Sequence, residues 1–168
     1  MTPVDIWWLS CQAHKKRLKG LARLLKAFNF LFFKAILPPE AEISRDLVLE
    51  HYGLCVVVHP NVVIGRNVRI FHQVTLAGET WIGSPHKIVI GDDVVIGVGA
   101  SIVARKDHGL VIGNGAVIGA GAVVTRDVNA GDIMVGMPAR PLRQKSEKPL
   151  DEVRKNHVQI GNHANNGK

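Results

Sequence analysis

Cysteine and aromatic residues are scarce in this chain of 168 residues. Its two cysteines, Cys11 and Cys55, are too few for a disulfide framework or a cysteine-based metal cluster, which favours a reducing, cytoplasmic setting. Aromatic residues make up only 5% of the sequence, whereas glycine occurs 17 times and valine and isoleucine dominate the middle. This mixture favours a repetitive β architecture over a helical bundle, in one domain whose 46% apolar content can form a real core.

Several chemical motifs are also absent. The sequence has no GxxxxGKS or GxxxxGKT segment, no GxGxxG after a strand and no GxSxG, which argues against P-loop, dinucleotide-binding and serine-hydrolase chemistry. No signal peptide is expected, because the N-terminus lacks a basic segment ahead of a clean apolar run and a cleavage site. The most apolar stretch, residues 21–37, carries three basic residues and falls short of a membrane-spanning helix.

Residues 4–37 are predicted to form one helix, because apolar residues recur there at steps of three and four. These residues are Leu21, Leu24, Leu25, Phe28, Phe32 and Ala35. The helix should end at Pro38 and Pro39. Two interpretations stay open: the helix packs on the β body or a partner subunit, or it lies on a membrane surface. The predicted organisation is an N-terminal helical segment (1–38), a β domain (39–138) and a polar, basic tail (139–168).

The net charge of +7 is concentrated in two places. The basic residues are Lys15, Lys16, Arg17, Lys19, Arg23 and Lys26 near the N-terminus, and Arg140, Arg143, Lys145 and Lys148 near the other end. Such surfaces suit a phosphate-bearing partner, although they are also compatible with a merely solvated face. A nucleic-acid partner is not expected, because no aromatic platform for base stacking is interleaved with these charges.

Between residues 43 and 128 an aliphatic residue returns every six positions. The first positions of these hexads are Ile43, Leu49, Val58, Ile64, Ile70, Leu76, Ile82, Ile90, Ile96, Ile102, Ile112, Ile118 and Val124. Glycine often follows at the second position, and small or β-branched residues occupy the fifth. A period of six predicts a parallel β-solenoid, in which three hexads make a coil and stacked coils bury the first and fifth positions. Glycine is expected to supply backbone freedom near the corners.

The period breaks at three places, which predict loops near residues 52–57, 83–89 and 103–111. His51 and His72 each occupy the third position of a hexad and are 21 residues apart, one 18-residue coil plus three extra residues. The two imidazoles should therefore lie on the same side of the prism, one coil apart, with His86 on a loop that could approach them. An imidazole can remove a proton from an attacking hydroxyl at neutral pH. It also binds metals, but no third ligand has suitable spacing, so no metal is predicted.

The hexads, together with LEHYG at 49–53, VTLAG at 74–78 and VGMPAR at 135–140, resemble hexapeptide-repeat acetyltransferases of the serine O-acetyltransferase type. The resemblance covers roughly residues 37–143. It implies a left-handed parallel β-helix, a homotrimer with active sites between subunits, and acetyl-CoA as the donor. If the acceptor is serine, the enzyme would act in cysteine biosynthesis.

The resemblance also assigns roles to individual residues. His51 matches the general base, and Glu50, whose side chain should point away from that of His51, matches a substrate contact. His86 is the nearest counterpart of a second histidine near the acceptor, and His72 replaces a glutamine-like position there. Donor contacts map to Gly78, Val98 and Ala120, with Arg140 and the basic residues after it near the donor's phosphates.

This chain departs from the family at Ile36-Leu37-Pro38, where the family carries an aspartate that orients the base, and in the insertion around 106–109. These departures leave the acceptor open between serine and a sugar of a surface polysaccharide. A third hypothesis is a non-catalytic β-helix scaffold.

Overall fold

The computed structural model describes residues 1–142, which form two helices followed by fourteen short strands. The helices are α1 (Pro3–Lys15) and α2 (Lys19–Phe33). The strands are β1 (Glu42–Ile43), β2 (Val48–Leu49), β3 (Val57–Val58), β4 (Val62–Ile64), β5 (Arg69–Ile70), β6 (Thr75–Gly78), β7 (Ile88–Ile90), β8 (Val95–Ile96), β9 (Ser101–Ala104), β10 (Leu110–Ile112), β11 (Val117–Ile118), β12 (Val123–Val124), β13 (Ile133–Val135) and β14 (Arg140–Pro141).

The strands form three parallel sheets that are the faces of a prism. Face 1 contains β1, β4, β7 and β10; face 2 contains β2, β5, β8, β11, β13 and β14; face 3 contains β3, β6, β9 and β12. The chain visits faces 1, 2 and 3 in turn and returns one coil higher, for about four turns. Of the strands in residues 1–142, β14 alone runs antiparallel to its neighbour, β13. The predicted left-handed parallel β-helix with an N-terminal helical segment is confirmed.

The interior of the prism consists of the residues that the hexads predicted. First-position residues such as Ile70, Ile96 and Ile118 and fifth-position residues such as Val94 and Ala116 are fully buried. Their burial on successive coils provides one continuous apolar core, the main source of stability in a stacked solenoid.

Ile82 is an exception to the predicted hexads, because its side chain is 62% exposed. The chain leaves the prism after Gly78 and returns only at Ile88, so this stretch is a loop instead of a hexad. The connections that correspond to the three predicted loops span residues 50–56, 79–87 and 105–109. The loop predicted at 83–89 therefore begins earlier than expected. Ile82 matches the six-residue period of the sequence by coincidence, because it lies in the loop and not on a face of the prism.

The hexad glycines have a different physical role from the predicted one. Gly97 has no left-handed backbone; instead, a Cβ at this position would lie 2.7 Å from the backbone nitrogen of Ala120 on the next coil. The left-handed corner residues lie two positions later, as at Gly99 with φ +67° and Asp93 with φ +58°. The second-position glycines are therefore required by the close approach of neighbouring coils.

The N-terminal segment is two helices, not the single helix predicted for 4–37. Arg17 adopts a left-handed conformation with φ 60°, which reverses the chain and folds α2 back on α1. The hydroxyl of Ser10 donates to the carbonyl oxygen of Ala22 at 2.9 Å, and Asn29 donates to the carbonyl oxygen of Pro3 at 3.2 Å. The periodic residues on which the prediction was based all lie after this turn, from Leu21 onward, so they gave no information about the break.

Helix α1 packs on the first coil. Val4, Trp7 and Cys11 join the core cluster, and the indole nitrogen of Trp7 donates to the carbonyl oxygen of Pro38 at 2.8 Å. Burial raises the pKa of the Cys11 thiol to about 12, so this thiol stays protonated and serves as an apolar packing group. The prediction that the segment packs on the β body is therefore correct for α1.

Candidate active site

Two of the predicted site residues, His51 and His72, lie where the chain turns from face 2 to face 3. They follow β2 and β5, which pair in parallel with Leu49 opposite Ile70, so the two histidines occupy equivalent positions on adjacent coils. Val98 and Ala120 follow β8 and β11 and continue the same column. We call this column of four residues the histidine edge.

The imidazoles of His51 and His72 are in contact. Their ring centroids are 4.8 Å apart and the rings are nearly perpendicular, at 87°. His51 is exposed and His72 is half-buried. The Nδ1 atom of His72 is buried and has no hydrogen-bond partner among the described residues. The predicted juxtaposition is present, and the pair offers one accessible imidazole supported by a second.

The backbone at His51 is strained. His51 (φ 51°, ψ 39°) and Tyr52 (φ 57°, ψ 22°) are consecutive non-glycine residues in the left-handed region, within a short 3₁₀ turn at Glu50–Gly53. Such conformations are unfavourable for residues with a Cβ and are often found where a site needs a particular geometry. A hydrogen bond of 2.8 Å from the backbone of Gln73 to the carbonyl oxygen of Leu54 ties this turn to the next coil.

The carboxylate of Glu50 forms an ion pair with Arg69 and not with His51. Arg69 donates two hydrogen bonds, from Nε and Nη2, to Oε1 of Glu50. Within residues 1–142 no carboxylate is hydrogen-bonded to His51, and Leu37 and Pro38, at the family's aspartate position, are buried beneath α1. Sequence reasoning missed Arg69, although the hexad register, which places Val48 opposite Arg69, could have identified it.

A pocket of about 470 Å³ opens beside His51, between the start of α1 and the first coil. Its lining includes His51, Tyr52, Arg45 and Asp5. Hydrogen bonds from Thr2, which caps α1, hold the pKa of Asp5 below its usual range, so its carboxylate stays ionised. The volume suits a small ligand, and the walls present both charges next to an imidazole. The contributions of α1 and Arg45 were not predicted, because they arise from the docking of α1.

Gly78 and His86 lie at the opposite margin of face 3. Gly78 ends β6, and His86 is in the following loop, where its backbone nitrogen donates to the hydroxyl of Ser84 at 3.1 Å. The next loop contains His108, and the strands that follow the two loops pair with Ile88 opposite Leu110. We call this margin, with loops 79–87 and 105–109, the loop edge. Within one chain, no contact among the described residues joins His86 to His51 or His72.

Arg140 lies near the C-terminal end of the prism. It is exposed on β14, and together with Arg126 it lines a pocket of about 240 Å³. Val98 and Ala120 lead from the histidines toward this end along the histidine edge. The other predicted basic residues, Arg143, Lys145 and Lys148, lie outside the described residues.

Comparison with known proteins gives a consistent result. No family model matches the chain. It is 33% identical to the serine acetyltransferase of Helicobacter pylori over 129 residues, which cover 77% of this chain and 72% of that protein. It is 39% identical to the chloroplastic serine acetyltransferase 1 of Arabidopsis thaliana over 140 residues, 79% of this chain. The chain spans only 43% of the length of that plant relative.

Solved structures agree with these sequence relatives. The serine acetyltransferase of Neisseria gonorrhoeae in complex with serine has a TM-score of 0.75 and 33% identity, covering 83% of this chain and 55% of that one. The serine acetyltransferase of Brucella abortus in complex with coenzyme A has a TM-score of 0.75 and 27% identity, covering 86% of this chain and 56% of that one. On the strength of its repeat, its fold and these relatives, the chain belongs to the serine acetyltransferase family.

Proposed function

We propose that this protein is an acetyl-CoA-dependent O-acetyltransferase whose acceptor is a small hydroxyl compound, with L-serine the first candidate. The observation that carries the proposal is the contacting pair His51 and His72 on one edge of a β-helix of the serine acetyltransferase family. Neighbouring structures named as complexes with serine and with coenzyme A support the acceptor and the donor.

In the proposed reaction, His51 acts as the general base. Its imidazole removes the proton of the acceptor hydroxyl as the oxygen attacks the thioester carbonyl, and returns a proton to the departing thiolate. The products are an acetyl ester and free coenzyme A. The left-handed turn at 51–52 holds this imidazole at the edge, and the ring of His72 limits its rotation. His72 thus supplies part of the orientation that an aspartate supplies elsewhere in the family.

The donor is proposed to lie along Val98 and Ala120, with Gly78 at the thioester end and Arg140 near the phosphates. Arg140 is exposed, as a contact to a phosphate requires. Glu50 is proposed to contact the acceptor, in exchange with its bond to Arg69.

We also propose a homotrimer with active sites between subunits. His51, His72, Val98 and Ala120 lie at one margin of face 3, whereas Gly78 and His86 lie at the other. A site that uses both sets therefore needs two copies of the chain, one contributing its histidine edge and the other its loop edge. Cyclic symmetry would supply three such sites.

The decisive experiment measures coenzyme A release from acetyl-CoA in the presence of L-serine. Replacing His51 by Gln should lower turnover by about 10²–10⁴-fold, the usual contribution of a general base. His14→Gln is the matched control, because His14 is a half-buried histidine in the last turn of α1. Near-normal turnover in His51→Gln, with the control also active, would exclude His51 as the base.

A panel of acceptors tests the substrate. Serine, threonine and nucleotide sugars are compared with the unmodified enzyme, and calorimetry measures acetyl-CoA binding independently. Turnover with a sugar but not with serine would assign the protein to glycan acetylation. Absence of acetyl-CoA binding would favour the scaffold hypothesis.

A further inference from the structure

Helix α2 exposes an apolar face that the fold leaves uncovered. Its members are all exposed and share one side of the helix, because Leu31 and Phe32 follow Phe28 by three and four residues in the spacing that begins at Leu21 and Leu24. The rings of Phe28 and Phe32 stack with centroids 4.2 Å apart. We call these five residues the α2 apolar face. A contiguous exposed patch of this kind is typical of an interaction surface.

The α2 apolar face points away from the helix on which α2 packs. The buried residues of α2 are Ala22 and Asn29, on a different side of the helix, and both are hydrogen-bonded to α1. Helix α1 in turn packs on the first coil. The apolar face therefore lies on the outer layer of the N-terminal segment and takes no part in the core.

The surroundings of this face carry charge of one sign. Between Asp5 and Glu40 the sequence has no acidic residue and seven basic ones: Lys15, Lys16, Arg17, Lys19, Arg23, Lys26 and Lys34. Within the part of the chain that the structure describes, none of these seven forms a salt bridge. On the helix, Lys19, Arg23 and Lys26 lie opposite the apolar face, the distribution of a helix that lies in a membrane interface.

We propose that the α2 apolar face docks on an anionic lipid bilayer, with the helix parallel to the membrane surface. The leucine and phenylalanine side chains would enter the boundary between headgroups and acyl chains, and the long basic side chains of the polar side would attract the anionic headgroups. None of the helices in residues 1–142 has the length and apolarity to cross a membrane. A second copy docked through the same face would leave the basic residues of both copies without an oppositely charged partner, whereas an anionic bilayer supplies one.

Vesicle flotation of the whole protein tests the proposal. The protein should float with vesicles of phosphatidylcholine mixed with phosphatidylglycerol, much less with phosphatidylcholine alone, and less again at high salt. Leu21→Glu should weaken binding by about tenfold or more, because it removes buried apolar area and adds a repelled charge. Val111→Glu is the matched control, since Val111 is 47% exposed like Leu21 but lies on β10 of face 1, and it should bind as the unmodified protein does.

A charge variant separates the electrostatic contribution. Lys19→Gln should reduce binding to the anionic vesicles by about fivefold, the contribution of one basic residue near such a surface.

The proposal is overturned if the unmodified protein does not float with anionic vesicles, or if Leu21→Glu and Val111→Glu weaken binding equally. It is also overturned if Leu21→Glu lowers the oligomeric state in analytical ultracentrifugation, which would identify a second copy as the occupant. Coenzyme A release with a soluble acceptor is measured for each variant, so that loss of docking is distinguished from failure of the proposed catalysis.

Discussion

The two margins of face 3 differ in how they hold their histidines. On the histidine edge, His51 and His72 each come two residues after the paired strands β2 and β5, so they occupy equivalent positions and their rings touch. On the loop edge, His86 and His108 lie in loops of different length, 79–87 and 105–109. Paired positions begin only in the strands that follow, β7 and β10. A repeat therefore determines geometry for residues that come directly after a paired strand, as His51 and His72 do. Where the chain leaves the prism, local hydrogen bonds decide the position.

The largest predicted effect on stability concerns two isoleucines at hexad first positions. One precedes the histidine edge and the other lies in the loop edge. Ile96 is fully buried in the strand that leads to the histidine edge, so Ile96→Ala should lower the free energy of unfolding by about 2–5 kcal/mol. Ile82→Ala, in the loop, should change it by less than about 0.5 kcal/mol. Chemical denaturation measures both, and equal losses would contradict the assignment of Ile82 to a loop.

The next prediction concerns a substitution that should destabilise loop 79–87 of the loop edge and leave the histidine edge unchanged. Asn61 is buried and holds loop 79–87 by donating to the carbonyl oxygen of Trp81 at 2.6 Å and to the hydroxyl of Thr80 at 3.1 Å. It also accepts a hydrogen bond of 2.8 Å from the backbone of Gly83. Asn61→Ala should lower the free energy of unfolding by about 1–3 kcal/mol and increase hydrogen exchange in the loop, because the carbonyl oxygen of Trp81 and the amide of Gly83 lose their side-chain partner.

Hydrogen exchange of the Gly83 amide, followed by NMR, tests this prediction. Asn129→Ala serves as the control, since Asn129 is exposed and, among residues 1–142, its side chain is hydrogen-bonded to Asp132 alone. Unchanged protection of Gly83 in Asn61→Ala would show that other contacts position the loop.

A smaller effect is expected at the ion pair of the histidine edge. The side chains of Arg69 and Glu50 are 55% and 24% exposed, so water screens much of their attraction. Arg69→Gln should lower the free energy of unfolding by only about 0.2–1 kcal/mol. A double-mutant cycle with Glu50→Gln measures the pair, and a coupling well above that range would mean that the pair is a structural support of the site.

The smallest effect is predicted at the ion pair of the loop edge. The hydrogen bond and charge of Lys87 hold the pKa of Glu42 below its usual range. A lowered carboxyl pKa contributes stability above the unfolded-state pKa, and this contribution is lost as the pH falls through the folded-state pKa. Because both side chains are about half exposed, the loss on acidification should be slight.

An NMR titration of the Glu42 carboxyl checks the sign. In Lys87→Met the pKa of Glu42 should return toward the ordinary value of a glutamate. An unchanged pKa in that variant would remove Lys87 as the cause.

Much of the prism could be predicted from the spacing of residues in the sequence. Ile70, Ile96 and Ile118 recur in phase, and a period of six has few structural solutions, so the sheets and the juxtaposition of His51 with His72 followed from counting. The helical segment was harder. Its named periodic residues begin at Leu21, after Arg17, and the left-handed torsion of Arg17, which the residue type does not reveal, separates a packed α1 from an exposed α2.

By itself, the sequence determined which residues form the core and which edge carries the two contacting histidines, because a parallel ladder has a regular register. Tertiary structure alone decided that α1 contributes Asp5 to the pocket beside His51, and that His86, on the loop after Gly78, lies a full face away from His51. These relations depend on helix docking and on loop paths, which are governed by contacts between distant residues. A periodic pattern carries no information about such contacts.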